Sequence, residues 1–284
     1  MGAPMDDRMT NTMTPTPTCG VLYITYGQKY VRAAMRSAKS VRKNNPAINI
    51  HLFVDNESMQ VLGLAQNSAP FTSIQVMDNP HRRSKVDMMG RSPFERTLYL
   101  DSDTSVAADI TAMFGLLDRF DLAAVQAMHR NSSMQEEVWK DKVPNAFPQF
   151  NTGVLLYKAT PAVFKLFEDW GKAFAESGHR HDQPTFRELV WASGLRVIAL
   201  PPEYNVRYLK YRFIWSKSEA VPYIYHLKQY HSGWLSWLRD QGKDLAIALA
   251  DLILWPLYKL TGMRSIQERR VTKRRASKGK PNNL

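Results

Sequence analysis

Cysteine is almost missing from this sequence: Cys19 is the single one among 284 residues, so no disulfide can form within the chain. This scarcity favours a reducing compartment, and the predicted location is the cytoplasm. The first twenty residues lack the basic segment and the apolar run of a secretory signal. The apolar run at residues 245–258 is interrupted by Asp251 and is shorter than the roughly 20 residues that cross a bilayer. These features argue against a disulfide-stapled scaffold and against a protein with several membrane spans.

Acidic residues are also scarce relative to basic ones. The chain has 26 Asp and Glu against 38 Lys and Arg, which gives a net charge of +12. Residues 264–284, the basic tail, hold eight basic residues and one acid, so the tail carries 8 − 1 = +7 and the remaining chain +5. Such a tail either binds an anionic partner, such as a membrane surface or a nucleic acid, or is simply solvated.

The segment before the tail, residues 234–263, predicts an amphipathic helix. It combines the apolar run with Trp234, Trp237 and Trp255. A helix of this composition either lies at the surface of an anionic membrane or packs on the folded domain. The sequence leaves both arrangements open, and the first would make the protein peripheral on the cytoplasmic face of a membrane.

Strands and helices alternate through the first part of the chain. Residues 21–27 (VLYITYG) are rich in β-branched and aromatic residues, and apolar residues then recur at helical spacing from Val31 to Val41. Two further strands are predicted at Ile48–Asp55 and Ser73–Asp78, with a helix near Glu57–Ala65 between them. This β-α-β-α-β order predicts an α/β domain with a mostly parallel sheet that binds ligands at the carboxyl ends of its strands.

Later segments continue the alternation of strands and helices. Strands are predicted at residues 96–104, 121–129, 151–158, 196–205 and 223–226. Thr160 and Pro161 have the residue types of an N-cap and a first-turn position, so they predict the start of a helix.

Asp101 and Asp103 close the apolar strand LYLDSDT and are the strongest candidates for chemistry. Their spacing of two directs both carboxylates the same way at the sheet edge where ligands bind. Hard oxygen ligands suit Mg²⁺ or Mn²⁺, and either ion would hold a diphosphate. The alternative is structural, because acids in this position often cap the following turn.

Seven segments together carry a resemblance to a known family. They are VLYITYGQKYVRAAMRSAKSV, SKVDMM, LYLDSDT, FNTGVLLYK, HDQPTF, LPPEYN and YIYH, in this order. Their order and spacing resemble the retaining nucleotide-sugar glycosyltransferases of family 8, the glycogenin and bacterial galactosyltransferase type. The resemblance implies a GT-A fold, which is Rossmann-like, over residues 20–233, preceded by a flexible leader at 1–19 and followed by the C-terminal helical extension and the basic tail.

The resemblance also implies roles for individual residues. Thr25 and Tyr30 match the donor-binding pattern after the first strand, where the aromatic ring stacks on uracil, and Lys85 matches a lysine beside the donor. Asp101 and Asp103 match the metal-binding Asp-x-Asp pair, and His226 matches the histidine that completes the metal site. The remaining matches are Asn151, Asp182 and Gln183, which hold the sugar, with the last two placed at the reaction centre, and Asn205 on the acceptor side.

Several of these residues also have structural explanations. Tyr30 would pack the first helix and Lys85 would lie on the surface, while Asn151 would belong to a turn because Asn-Thr-Gly is good turn chemistry. Asp182 would be the N-cap of a helix that begins near Pro184, and His226 would be an ordinary half-buried histidine.

The late histidine segment departs from the family pattern. Gln229 stands where the family has glycine, and its Lys-Pro-Trp sequence is absent. The lysine that binds the diphosphate is therefore not identified by the pattern. Lys228 is the candidate replacement, and His231 is an alternative to His226 as the metal ligand.

The resemblance implies a metal-dependent enzyme that moves a sugar from a UDP-sugar to a glycan, lipid-linked or protein acceptor, with retention of anomeric configuration. One imidazole among oxygen ligands favours Mn²⁺ over Mg²⁺. Residues 81–85 or the loop 130–148 would close over the donor as a lid. A basic nucleic-acid-binding protein is one alternative, although no aromatic residue interleaves the basic tail. A nucleotidyltransferase is another, although ITYGQKY contains only Gly27 where a glycine-rich phosphate loop is expected.

Overall fold

The computed structural model describes residues 18–81, 83–128, 137–208, 211, 215–227 and 253–254. The strands within these ranges are β1 Cys19–Ile24, β2 Asn49–Val54, β3 Ser73–Val76, β4 Arg96–Leu100, β5 Thr104–Val106, β6 Leu122–Gln126, β7 Phe150–Lys158, β8 Val197–Leu200 and β9 Ile224–His226. The α-helices are α1 Gln28–Asn44, α2 Asn56–Val61, α3 Ser84–Met88, α4 Pro161–Ser177 and α5 Gln183–Ala192. Short 3₁₀ helices span Met89–Arg91, Thr111–Asp118 and Pro202–Tyr204.

Seven of these strands form one sheet in the order β3-β2-β1-β4-β7-β6-β8. The pairs β3–β2, β2–β1, β1–β4 and β6–β8 are parallel, whereas β7 runs antiparallel to both β4 and β6. The predicted mostly parallel α/β sheet is therefore confirmed. β5 and β9 form a separate two-stranded ribbon.

Apolar side chains pack on both faces of the sheet, as the period of two in its strands requires. Val21 and Tyr23 of β1 point to the face covered by α1, and Leu22 and Ile24 point to the face covered by α4. The predicted inner face of α1 is confirmed, since Val31, Ala34, Ala38 and Val41 are buried. The helix ends at Asn44, where the sequence Asn-Asn-Pro predicts its end.

The predicted start of α4 is also confirmed. The Thr160 hydroxyl accepts a hydrogen bond from the Val163 N–H at 3.3 Å, and Pro161 occupies the first turn. Gly178 ends the helix in the left-handed conformation, with φ of 62°, which a glycine adopts without steric cost. Trp170 on the inner face of α4 is fully buried, and its indole N–H donates to the Asp182 carbonyl at 2.9 Å.

Some predicted boundaries differ from the structure. β1 begins at Cys19, which the sequence assigns to the leader, because Cys19 pairs with Arg96 of β4. α2 is shorter than predicted and ends at Val61. Lys228, His231, the basic tail and the segment 234–263 except residues 253–254 lie outside the described residues. In the part of the chain that the structure describes, no helix has the length and apolar character needed to span a bilayer.

Candidate active site

The two-stranded ribbon brings the predicted acids next to the predicted histidine. β4 ends at Leu100, so Asp101 and Asp103 lie in the short connection to β5 rather than in a strand. β5 pairs antiparallel with β9, which sets Thr104 opposite His226. The Leu227 N–H also donates to the Asp103 carbonyl at 3.0 Å. The ribbon, and not the period of two that the sequence suggests, thus makes these side chains converge.

Asp101, Asp103 and His226 form a compact cluster whose ligand atoms all lie within 4.8 Å of one another. His226 Nε2 is 2.9 Å from Asp103 Oδ1 and 3.6 Å from Asp101 Oδ2. The imidazole is 2% exposed, so it is not half-buried, and Asp103 is also buried. The Tyr99 hydroxyl donates to Asp101 Oδ1 at 2.7 Å and orients that carboxylate. The acid that caps the next turn is Asp109, whose Oδ1 accepts from the N–H and hydroxyl of Thr111.

A chain of buried amides fixes the orientation of His226. Asn151 Oδ1 accepts from the Gly153 N–H at 3.1 Å and from Asn205 Nδ2 at 2.9 Å. Asn205 Nδ2 donates to Asn151, so the other end of the amide, Asn205 Oδ1, faces His226 Nδ1 at 2.9 Å. An amide oxygen can only accept a hydrogen bond. Nδ1 therefore carries a ring proton, and Nε2 is the nitrogen that faces the two acids.

This arrangement fits a divalent cation. His226 Nε2 and the Asp103 carboxylate oxygen Oδ1 lie 2.9 Å apart. Neighbouring ligands of an octahedral ion with bonds of about 2.1 Å would be about 3 Å apart, so this spacing is compatible with both atoms binding one ion. Gly153 leaves room at this point, since a Cβ there would overlap the His226 ring and the Asp101 carboxylate. The donor set of two carboxylates and one imidazole suits Mn²⁺ or Mg²⁺.

Lys85 and Asp182 form a second charged cluster, on α3 and at the start of α5. Lys85 Nζ lies 2.9 Å from Asp182 Oδ2 and 3.0 Å from the Thr152 hydroxyl oxygen. Thr152 in turn donates to Asp182 Oδ2 at 3.1 Å, and Arg83 Nη1 lies 3.5 Å from Asp182 Oδ1. The Lys85 side chain is only 14% exposed, so the surface alternative is wrong.

The charges of this cluster stabilise each other. Burial alone would raise the pKa of Asp182, but Lys85 and Arg83 outweigh it and hold the pKa below its ordinary value. Burial alone would lower the pKa of Lys85, but Asp182 and then Asp101 raise it. Asp182 does precede α5, yet its carboxylate makes no capping hydrogen bond to that helix. The Asn151 alternative is wrong as well, since Asn-Thr-Gly lies inside β7 and not in a turn.

The remaining predicted residues surround these clusters. Gln183 is the first residue of α5 and is half-buried, directly after Asp182. Thr25 is buried after β1, whereas Tyr30 in the first turn of α1 is 39% exposed and lies outside the core. Asp55 stabilises the turn between Thr25 and Tyr30, because its carboxylate accepts a hydrogen bond from the Gly27 N–H at 2.8 Å. The same carboxylate also accepts from the Ser58 N–H at 2.8 Å. Gly27 has φ of 88°, which favours glycine there.

The described part of the predicted lid loop, residues 137–148, is anchored to α5. The buried Glu188 carboxylate accepts from the backbone N–H groups of Trp139, Lys140 and Asp141. Arg187 donates to the carbonyls of Pro144 and Phe147. These bonds connect the loop to the helix that begins at Gln183.

Sequence reasoning missed four residues that shape the site: Tyr99, Thr152, Gly153 and Arg207. Arg207 Nη1 lies 2.6 Å from His226 Nε2. Each of the four lies within two residues of a predicted site residue, and this proximity is the only signal for them in the sequence. That Arg207 reaches His226 depends on the pairing of Val206 with β9, which the sequence does not show.

Comparison with known proteins gives one family and a set of similar folds. A family model described as nucleotide-diphospho-sugar transferase matches residues 88–234, just over half of the chain. No curated protein matches the sequence.

Solved structures of glycosyltransferases share the fold. The galactosyltransferase LgtC, in complex with donor and acceptor sugar analogs, aligns with a TM-score of 0.53 and 17% identity, over 74% of this chain and 87% of that one. Mouse xyloside xylosyltransferase 1, in its apo form, aligns with a TM-score of 0.51 and 16% identity, over 73% and 96%. The bifunctional WbbM apo structure aligns with a TM-score of 0.51 and 16% identity, over 74% and 45%. At this identity the likeness concerns the fold, and the expected GT-A fold is confirmed.

Proposed function

Because this chain belongs to the nucleotide-diphospho-sugar transferase family, we propose that it is a metal-dependent glycosyltransferase that uses a UDP-sugar. The observation that carries the proposal is the cluster of Asp101, Asp103 and His226 at the end of β4. It lies beside a second cluster, Lys85 and Asp182, that would hold the sugar end of the same donor.

The departing diphosphate needs stabilisation of its negative charge. A divalent ion, Mn²⁺ or Mg²⁺, held by Asp101, Asp103 and His226 would act as a Lewis acid on the phosphate oxygens. Asn151 and Asn205 keep His226 Nε2 directed to that position through its Nδ1 hydrogen bond. Tyr99 does the same for Asp101.

The donor sugar would lie over β7 and the start of α5. Asp182 stays ionised beside Lys85, so it can accept hydrogen bonds from sugar hydroxyls and favour positive charge at the anomeric carbon. Gln183 would offer a neutral amide at the same face, and Thr25 and Tyr30 would contact the uridine. We propose that the anomeric configuration is retained, as the resemblance implies, and that the leaving phosphate accepts the proton of the acceptor hydroxyl.

The acceptor is a glycan, a lipid-linked saccharide or a protein. We further propose that the basic tail and the segment 234–263 dock the enzyme at an anionic membrane surface, which would favour a lipid-linked acceptor. The net charge of +7 in residues 264–284 supports this part of the proposal.

Release of UDP from a panel of UDP-sugars with Mn²⁺ tests the proposed activity. We expect Asp103→Ala to lower the rate at least about a hundredfold, because it removes several kcal/mol of charge stabilisation. The matched control is Asp109→Ala, which alters an exposed acid bonded to Thr111 and should keep full activity. Full activity of Asp103→Ala, or of the wild type in excess EDTA, would contradict the metal-dependent mechanism.

A further inference from the structure

Arg207 contacts His226 Nε2, the histidine nitrogen that would bind the ion in the candidate metal site. Its Nη1 lies 2.6 Å from His226 Nε2, while Asn205 Oδ1 lies 2.9 Å from His226 Nδ1. Asn205 and Arg207 flank Val206, which pairs with β9 through hydrogen bonds to Ile224 and His226. Residues two apart in an extended segment direct their side chains to one side. Asn205 therefore contacts Nδ1 of the imidazole and Arg207 contacts Nε2.

The guanidinium and a metal ion compete for the same lone pair. A guanidinium only donates, so Nε2 must accept from it, and Nε2 has a single lone pair in the ring plane. An ion bound to Nε2 therefore displaces Nη1. The displaced charge stays near the cluster, because Arg207 is fixed to β9 through its neighbour Val206.

The anion that would receive this charge is the diphosphate itself. Lys85 and Arg83 are both committed to Asp182. The sequence also lacks the Lys-Pro-Trp lysine of the family pattern, and its candidate replacement, Lys228, lies outside the described residues. A guanidinium pairs with phosphate oxygens through two parallel hydrogen bonds, which makes it well suited to this role.

We infer that Arg207 couples metal binding to nucleotide binding. Its guanidinium donates to His226 Nε2 in the metal-free protein and turns onto the diphosphate when metal and nucleotide bind. The inference rests on the proposed function. Its consequence is that metal alone binds weakly, because it must displace a cation, and that UDP strengthens metal binding by giving the displaced guanidinium a new partner.

The test is a Mn²⁺ titration of the full chain, with free Mn²⁺ measured by electron paramagnetic resonance, with and without UDP. The main variant is Arg207→Met, which keeps an apolar stem and removes the charge and the donors. We expect this variant to bind Mn²⁺ alone about tenfold more tightly than the wild type, and to lose most of the strengthening that UDP gives. A merely structural role would weaken Mn²⁺ binding in both conditions.

Two further variants make the outcomes distinct. Arg196→Ala removes an exposed partner of Asp121 and should leave both affinities unchanged. His226→Ala should lose Mn²⁺ binding. Equal Mn²⁺ affinity and equal UDP strengthening in wild type and Arg207→Met would overturn the coupling role and leave the proposed function standing. A wild type that binds neither Mn²⁺ nor UDP would overturn both. Arg207→Ala repeats the measurement if Arg207→Met fails to fold, and the same equality would count against the inference.

Discussion

At the scale of single residues, the buried amide of Asn205 decides which nitrogen of His226 can bind a metal. The amide is fully buried, and its two ends contact Asn151 and His226. Partners of this kind, which bond the second nitrogen of a ligating imidazole, set its orientation and its basicity. Asn205 is therefore a positioning residue in this account, although the family likeness assigns it to the acceptor side.

We expect Asn205→Ala to weaken Mn²⁺ binding by about 10- to 100-fold, because the imidazole loses the acceptor that fixes its tautomer. Isothermal titration with Mn²⁺ measures the change. Asn45→Ala is the matched control, since Asn45 is another buried asparagine that bonds backbone groups of Ala108 and Ile110, away from the site. Equal weakening in both variants would mean that loss of fold, and not loss of orientation, explains the result.

Lys85 and Asp182 allow a prediction about stability. Lys85→Met would leave the buried Asp182 carboxylate with Arg83, 3.5 Å away, as its remaining charged partner, so it should lower the free energy of unfolding by about 3 kcal/mol at pH 7. Lys165→Met removes the exposed partner of Asp169 and should cost less than about 1 kcal/mol. Urea denaturation of both variants measures the difference.

The same pair predicts a pH dependence. The folded-state pKa of Asp182 is lowered, so its contribution is present above the ordinary carboxyl range near 3.8 and is lost as the pH falls through the folded value. The stability gap between wild type and Lys85→Met should therefore be constant from pH 6 to 8 and shrink below about pH 4. A gap that stayed constant down to pH 2 would show that Lys85 acts through packing alone.

At the scale of elements, β7 lies directly against the side chains of the candidate metal site. Gly153 in β7 faces the His226 ring and the Asp101 carboxylate without room for a Cβ. We expect Gly153→Ala to push these two side chains apart and to abolish measurable Mn²⁺ binding. Gly115→Ala is the control, because a Cβ at Gly115 meets nothing within 4 Å.

Circular dichroism should show folded protein for both glycine variants, and equilibrium dialysis against Mn²⁺ should separate them. Unchanged Mn²⁺ binding by a folded Gly153→Ala would contradict the position of the candidate metal site between these elements.

Single elements were largely predictable from the sequence, and the pairing of distant elements was not. The apolar face of α1 and the Thr160-Pro161 start of α4 follow from local chemistry, and the structure confirms them. The strand at residues 223–226 was predicted and corresponds to β9, but β5 was not distinguished from the strand predicted at 96–104, and no local pattern shows that β5 and β9 pair with each other. The sequence therefore named Asp101, Asp103 and His226 but not the ribbon that unites them, nor Arg207, whose position depends on pairing across the chain.

At the scale of the whole molecule, charge is concentrated at one end of the chain. The basic tail carries +7, while the rest of the chain carries +5. Each basic residue near an anionic surface contributes roughly 1 kcal/mol to membrane binding. Deleting residues 264–284 should therefore strongly weaken binding to vesicles that are rich in anionic lipid. The deletion should leave UDP binding unchanged.

Vesicle co-sedimentation measures this effect, with neutral phosphatidylcholine vesicles as the control surface. Binding should also fall as salt rises, since screening shortens the reach of the tail's charge. Equal binding of the full chain to neutral and anionic vesicles would contradict the electrostatic role of the tail and leave the enzymatic proposal unaffected.

The most direct test of the central claim is calorimetric titration of UDP into the full chain, once with Mn²⁺ and once in EDTA. The account predicts binding that requires Mn²⁺ in the wild type and is absent from Asp103→Ala in both buffers. Equal UDP affinity with and without Mn²⁺, in a protein that binds UDP, would contradict the claim that Asp101, Asp103 and His226 hold a cation on the diphosphate.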